Sequence, residues 1–391
     1  MVKLIPPTVK IANVKSAAIN VCMQDGAVIS LPILPMQLKP HHFCLPESIF
    51  NACSSISVAV VYKNNAKHSF NVKKDQILER NATKNLFINN TDSPYSNTVE
   101  NKQLVVDIVS DMCESVASLD ADIIRGDKNL IYLSVFGQDY YELSKMQLES
   151  IDSNTPNKTF DVLIITDAST KLRFASSAIV ESFNVHYMVV DTPANGVAAS
   201  MTKCNVFAWE KIDEYKKILF LDSDIISFKD ITPVFAMEYN SNVLYTVYNE
   251  NMHYERAFNS KYYSVTTASR EQLAAYKAQH QMPFNAGQFL FINSIKMQQH
   301  FSNVNWFMKN WPGEYFFEQS FMVEYFCRNF LTAADVIQPH FAIKIITPSV
   351  YDPDIKLTEL PTFIHFAGAA LNGIVKINYI KNFIEEHANI V

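Results

Sequence analysis

Two aspartates separated by one serine, Asp222-Ser223-Asp224, end a run of four apolar residues, Ile218 to Leu221, in the segment YKKILFLDSDIISFKDI. An unbroken apolar run of strand length is the pattern of a strand covered on both faces, with Lys216 and Lys217 at its solvated start. Alternation along such a strand predicts that residues two apart share a face, so the carboxylates would converge while Ser223 turns away. Two carboxylates held together repel, and each takes up a proton unless a cation or an arginine lies between them. A divalent metal at Asp222 and Asp224 is the chemistry this spacing suggests.

The surrounding pattern predicts how that pair is carried. From residue 129 strands and helices alternate: NLIYLSVF, then a helix over YYELSKMQLESI, the strand FDVLIIT, a helix over STKLRFASSAIVESF, the strand VHYMVV, and a helix over AASMTKCNVFAWEKI leading into KKILFLDSD. Alternation of this kind means βαβ units and an α/β sheet with right-handed crossovers, in which ligands lie beyond the carboxyl ends of the strands. Ahead of it, residues 1–78 read as a small β-rich extension. Asp25-Gly26 and Asn64-Asn65 each join two apolar runs as hairpin turns. Residues 79–125 form a linker, rich in Asn, Ser and Thr up to 104, and then a helix over QLVVDIVSDMCESVASL. His41, His42 and Cys44 cluster without a second ligand pair, which fits a loop or interface better than zinc.

Three later segments share the character of the Asp-Ser-Asp strand end. MPFNAGQFLFINS sets Asn285 and Gly287 just before another apolar strand, EYFFEQSFMVEYF carries Glu318 and Gln319 in an aromatic helix, and TFIHFAGAALNG places His365 three residues before Gly368. Only eight glycines occur in 391 residues, so each is expected to answer a backbone need. Together, in this order, the segments resemble the motif set of glycosyltransferase family 8, the glycogenin, galactinol synthase and bacterial lipopolysaccharide galactosyltransferase group, over residues 130–390.

The resemblance implies a GT-A-type, Rossmann-like nucleotide-diphospho-sugar transferase domain over residues 126–391. It implies that Asp222, Asp224 and His365 hold Mn²⁺, with Mg²⁺ as an alternative, against the diphosphate of a UDP-sugar. Carboxylate oxygens suit either ion, and an imidazole tilts the choice toward Mn²⁺. The resemblance gives Lys203, Asn285, Glu318 and Gln319 the catalytic roles. Lys203 reaches sugar and phosphate, Asn285 and the acid bind sugar hydroxyls, and Gln319 lies near the reacting face. Donor contacts fall to Tyr140 on the uracil, Ser223, Ala286, Gly287, Gly368 and Lys376. Six residues after His365, where the family commonly has a phosphate-binding lysine, stands Leu371. Either Lys376 takes over through a shifted loop, or the metal, Lys203 and glycine amides bind phosphate. The implied reaction is a retaining hexosyl transfer, of glucose or galactose, to a glycan, polyol or protein acceptor.

Composition narrows the field. An apolar share of 48% supports a full-sized core, and a net charge of −6 without a basic run disfavours nucleic acid. No apolar run reaches the ~20 residues of a membrane span, and the N-terminus lacks a secretory core, so a cytoplasmic location is expected, with a homodimer compatible. Cys22, Cys44, Cys53, Cys113, Cys204 and Cys327 lack paired spacing and read as reduced thiols. Plainer readings exist: the two aspartates as loop acids, His365 as a core histidine, and Lys203 and Glu318 as helix-surface charges. Two rival functions also remain at this point. One is a non-catalytic sugar-nucleotide or glycan-binding module, and the other an aspartate-nucleophile phosphatase, which would need a downstream acidic pair that the sequence does not offer.

Overall fold

The computed structural model describes residues 122–248, 268–310, 318–345, 360–368 and 373–387, the single positions 113, 116, 117 and 258, and the backbone of seven strands within residues 2–79. His41, His42, the polar stretch 80–104, the aromatics at 315–317 and most of the helix expected before residue 120 lie outside these. Contacts divide the chain into two units, Met1–Ala121 with Asn303–Tyr315, and Asp122–Ser302 with Phe316–Val391.

In the first unit the strands are β1 (Val2–Leu4), β2 (Val14–Met23), β3 (Val28–Ile33), β4 (Cys44–Leu45), β5 (Cys53–Tyr62), β6 (Lys67–Val72) and β7 (Ile77–Glu79). The pairs β2/β3 and β5/β6 are the two antiparallel hairpins read from Asp25-Gly26 and Asn64-Asn65. They join through β2 and β5 into a four-stranded sheet, order β3-β2-β5-β6, while β1 pairs with β4 and β7 in a second sheet.

The second unit alternates as its sequence predicts: β8 (Lys128–Val135), α1 (Gln138–Asn154), β9 (Phe160–Thr166), α2 (Ala168–Ala175), β10 (Val185–Val189), α3 (Gly196–Met201) and β11 (Tyr215–Leu221). After these come β12 (Ile225–Ser227), β13 (Leu244–Val247), β14 (Asn285–Ile292), α4 (Ile295–Asn310, which from Asn303 on is counted with the first unit), α5 (Gln319–Arg328), β15 (Thr332–Ala333), β16 (Phe341–Ile345), β17 (Phe363–Ala367) and α6 (Gly373–His387). The main sheet has the order β10-β9-β8-β11-β14-β13-β15. Its first four strands are parallel, but β14 runs antiparallel to both neighbours, so the sheet is mixed beyond β11. A smaller sheet, β12-β17-β16, begins just after the Asp-Ser-Asp segment.

Two expected helices are shorter than their apolar spacing suggested. The segment from 198 is one short α-helix, α3, followed by 3₁₀ turns at Thr202–Ala208 and Ile212–Glu214, and α2 likewise gives way to a 3₁₀ turn at Ala178–Ser182. The tighter coil at 202–208 turns Lys203 and Cys204 inward, leaving them 3% and 1% exposed. Lys203 is therefore no helix-surface charge.

Ile218, Leu219, Phe220 and Leu221 of β11 are wholly buried, as an apolar run covered on both faces requires. On one face Leu219, Leu221 and Leu290 pack with Leu148 and Ile151 of α1. On the other, Phe220 stacks on Phe289 at 5.0 Å, and Phe289 lies 6.0 Å from Phe301. Burying each such side chain contributes about 1.5–3 kcal/mol, which makes β11 a rigid stem for the acidic turn at its end. Among the described residues no helix is long and apolar enough to cross a membrane.

Candidate functional site

β11 stops at Leu221, and the main-chain ladder makes one more contact, from the Asp222 N–H to the Gly287 carbonyl at 2.7 Å. The Ile225 N–H then donates to the Asp222 carbonyl at 3.2 Å, closing a four-residue turn. Asp222 and Asp224 thus sit in a turn and not on the strand. Their carboxylates converge because the turn folds back, a correction to the alternation argument with the ordinary cause that Asp and Ser favour turns. The Asp224 carbonyl accepts from the Phe366 N–H at 3.0 Å, and Ile225 pairs with His365 across β12 and β17. One potential ligand atom from each of Asp222, Asp224 and His365 falls within 4.8 Å of the others, with His365 Nε2 3.1 Å from Asp224 Oδ1.

Gly287 is what allows this closeness. A Cβ there would lie 2.3 Å from His365 Cε1 and 2.8 Å from both Asn285 Oδ1 and Asp222 Oδ2, so any side chain would occupy the space where the ligands meet.

Two buried lysines flank the cluster. Lys203 Nζ stands 3.0 Å from Asp222 Oδ1 and 2.7 Å from Glu318 Oε1, donates to the Ala286 carbonyl at 3.1 Å, and lies 4.5 Å from the centre of the Phe220 ring. Lys376 Nζ, projecting from α6, meets Asp224 Oδ2 at 2.6 Å. The two lysines each take one oxygen of an aspartate, and Asp224 turns its other oxygen to His365. Desolvation lifts the Asp222 carboxyl above the usual carboxylate range; Lys203 opposes this and the Asp224 charge adds to it. For Asp224 desolvation pushes the same way, but Lys376 and His365 together outweigh it and hold the carboxyl well below that range. Burial works against charge on both lysines, and the facing carboxylates overcome it, raising both ammonium groups above the ordinary lysine value.

His365 Nδ1 is buried without a hydrogen-bond partner, and Asp224 Oδ1 is buried with only the ion-pair contact to His365 Nε2. Two carboxylates and an imidazole, brought within 4.8 Å of one another across a position that only glycine permits and with His365 Nδ1 unpartnered, fit a divalent cation.

The structure also places the remaining expected residues. Asn285 Oδ1 accepts from the Gly287 N–H at 2.7 Å, and Gln319 Oε1 from the Ala286 N–H at 3.1 Å. Asn285 begins β14 itself, and Glu318 caps α5 while Gln319 opens it. Glu318 is 4% exposed, which excludes a helix-surface charge. Ser223 is buried at the turn's centre, and Gly368 lies half-buried just past β17. Tyr140, on the first turn of α1, is 56% exposed and feels the charges of Lys376, Asp224 and Asp222. Lys376 reaches the cluster from a helix, 152 positions from its partner in sequence. Sequence reasoning missed Gln147, fully buried on α1, whose Nε2 donates to the Asp222 carbonyl at 2.7 Å. Its one sequence signal is a polar residue at core spacing among Leu143, Leu148 and Ile151.

The fold is of the GT-A type, a mostly parallel sheet with the Asp222-Asp224-His365 cluster beyond the carboxyl end of a central strand. The family model described as Glycosyl transferase family 8 matches residues 54–370, and the chain belongs to that family and is a glycosyltransferase. Similar solved structures include the galactosyltransferase LgtC in complex with donor and acceptor sugar analogues, at 13% identity over 65% of this chain and 95% of that one, TM-score 0.43. The apo form of the glycosyltransferase GlyE of Streptococcus pneumoniae TIGR4 is 16% identical over 65% of this chain and 60% of its own, TM-score 0.39. A glycosyltransferase involved in glycosylation of the major capsid of PBCV-1 is 13% identical over 66% of this chain and 100% of its own, TM-score 0.39. No curated protein matches the chain in sequence.

Proposed function

We propose that this glycosyltransferase moves a hexose, glucose or galactose, from a UDP-sugar to an acceptor hydroxyl with retention of anomeric configuration and in a Mn²⁺-dependent way. The observation that carries the reading is the convergence of Asp222, Asp224 and His365 between two buried ammonium groups. Held by those three residues, a dication would supply positive charge to the diphosphate as it departs.

The chain's own residues account for the rest. Lys203 and Lys376 hold the aspartates charged and in place and add positive charge beside the diphosphate. Asn285, its side-chain Oδ1 engaged by the Gly287 N–H, offers its Nδ2 hydrogens to donor hydroxyls. Glu318, fixed by Lys203, accepts from a sugar hydroxyl. Tyr140 gives the uracil an exposed ring to stack on, and Ser223, Ala286, Gly287 and Gly368 let the donor lie close to main chain. In the transfer the bond from the anomeric carbon to the phosphate oxygen breaks, and a bond to the acceptor oxygen forms on the same face. The acceptor proton passes to the departing phosphate oxygen, while Gln319 shields the opposite face.

Incubation with a panel of UDP-sugars and Mn²⁺, reading free UDP and intact protein mass, tests the donor, turnover and self-glycosylation together. Asp224→Ala is expected to lower UDP release by about 100-fold or more, the loss of several kcal/mol of charge stabilisation, with the circular dichroism unchanged. Full activity in that variant would overturn the reading.

A further inference from the structure

Helix α1 touches the segment 222–227 through three polar side chains. Gln147 Nε2 donates to the Asp222 carbonyl at 2.7 Å, Ser150 Oγ accepts from the Ser227 N–H at 3.0 Å, and Asn154 Nδ2 donates to the Ser227 carbonyl at 3.0 Å. The last two satisfy the short strand β12. The first does something different, because the Asp222 carbonyl already accepts the Ile225 N–H that closes the turn.

Gln147 is an expensive choice for stability. It is fully buried at a helix position flanked by Leu143, Leu148 and Ile151, and its Oε1 has no hydrogen-bond partner. An apolar side chain of the same size would fill the site without stranding a carbonyl oxygen. What the glutamine adds is a second, differently directed donor on the peptide that joins Asp222 to Ser223. A carbonyl held from two directions fixes the plane of that peptide, and with it the ψ of Asp222 and the φ of Ser223, the torsions that aim the two carboxylates at each other. Beneath the same turn, Gln288 pairs with Leu221 and shares the face of β14 that carries Leu290. It is fully buried with neither amide atom partnered, a second buried glutamine on the sheet face that α1 covers.

We propose that Gln147 is a positioning residue for the aspartate pair, holding the Asp222–Asp224 turn at the pitch at which a divalent cation is bound; this rests on the metal-dependent function proposed for the same site. Its effect passes through the turn and not through any contact with substrate.

The test compares Gln147→Met with Ser150→Ala by titrating Mn²⁺ in the presence of UDP and reading free Mn²⁺ by electron paramagnetic resonance, alongside thermal melts. Gln147→Met removes both the donor and the stranded oxygen at similar volume. It is expected to leave the melting temperature within a few degrees and to weaken Mn²⁺ binding about tenfold or more, with a matching rise in the UDP-sugar KM. Ser150→Ala strips the partner from a buried N–H on the same helix and is expected to lower the melting temperature with Mn²⁺ affinity unchanged. Should the methionine variant not fold, Gln147→Glu, of equal shape but with the donor replaced by an acceptor, gives the same comparison. Wild-type affinity in the Gln147 variant overturns the inference alone, provided the parent binds Mn²⁺ with UDP. A parent that binds none overturns the inference and the metal reading together.

Discussion

At the scale of residues, the site is a problem in packing charge. Three carboxylates, Asp222, Asp224 and Glu318, face the ammonium groups of Lys203 and Lys376, and Lys203 alone bridges two of them. Removing one partner from such a buried set leaves an uncompensated charge, which is why each member is tied to another. Gly287 sets the distance at which these groups meet. Gly287→Ala is expected to cost about 1–3 kcal/mol through the clash with His365 and Asp222, and to weaken Mn²⁺ binding with UDP; a thermal melt and a metal titration measure the two effects. The meeting of Asp222 and Asp224 was legible in the sequence from two acids after an apolar run, and the need for Gly287 from so glycine-poor a chain, whereas His365 entered only through the family resemblance, because a lone histidine in an apolar segment reads equally as core. Gln147 was not legible. A buried glutamine reveals its purpose only when its hydrogen-bond partner is known, and that partner lies 75 positions away. The Lys376 contact was open for the same reason: only the packing of Ile380 and Phe383 of α6 against Phe366 brings the lysine beside Asp224.

At the scale of elements, the parallel strands β8 to β11 could be read from alternation, since each is an apolar run and each crossover shows its own spacing. The antiparallel entry of β14 could not, because a strand buried on both faces looks the same in either direction. The 3₁₀ turns around Lys203 escaped for a related reason: three and 3.6 residues per turn give similar apolar spacing over one or two turns. Helix α4 carries a feature with a measurable signature. His300 is buried between Tyr325, whose hydroxyl lies 2.9 Å from Nδ1, and Asn242, whose Oδ1 lies 3.1 Å from Nε2. A neutral ring protonated on Nε2 satisfies both. Burial lowers its pKa from 6.5 to about 4, against the pull of Asp122 and with the push of Lys296. The unfolded chain therefore binds this proton first as pH falls, so the stability due to the neutral ring is fully present above pH 6.5 and is lost on the way down to about 4. The loss expected from this one group is on the order of 3 kcal/mol. Urea unfolding at several pH values should show that slope, and His300→Gln should flatten it.

At the scale of the whole molecule, a net charge of −6 offers no general attraction to a nucleotide diphosphate, so recognition must be local. The locality is visible in the chain's architecture. The aspartates stand in the turn after β11, Gly287 comes from β14, the one reversed strand of the main sheet, His365 from β17 of the small sheet and Lys376 from α6 beyond it, and they meet in a cluster a few ångströms across. The family match begins at residue 54, inside the first contact unit, and ends at residue 370, just past His365. Pulsed electron paramagnetic resonance on the Mn²⁺–UDP complex of the full chain tests the gathering of these residues around one ion most directly. Nitrogen coupling from the His365 imidazole and phosphorus coupling from the diphosphate should both appear on the same Mn²⁺, and the nitrogen signal should vanish in His365→Gln. A Mn²⁺ signal with phosphorus coupling alone, or a nitrogen signal that survives in that variant, would contradict the assignment.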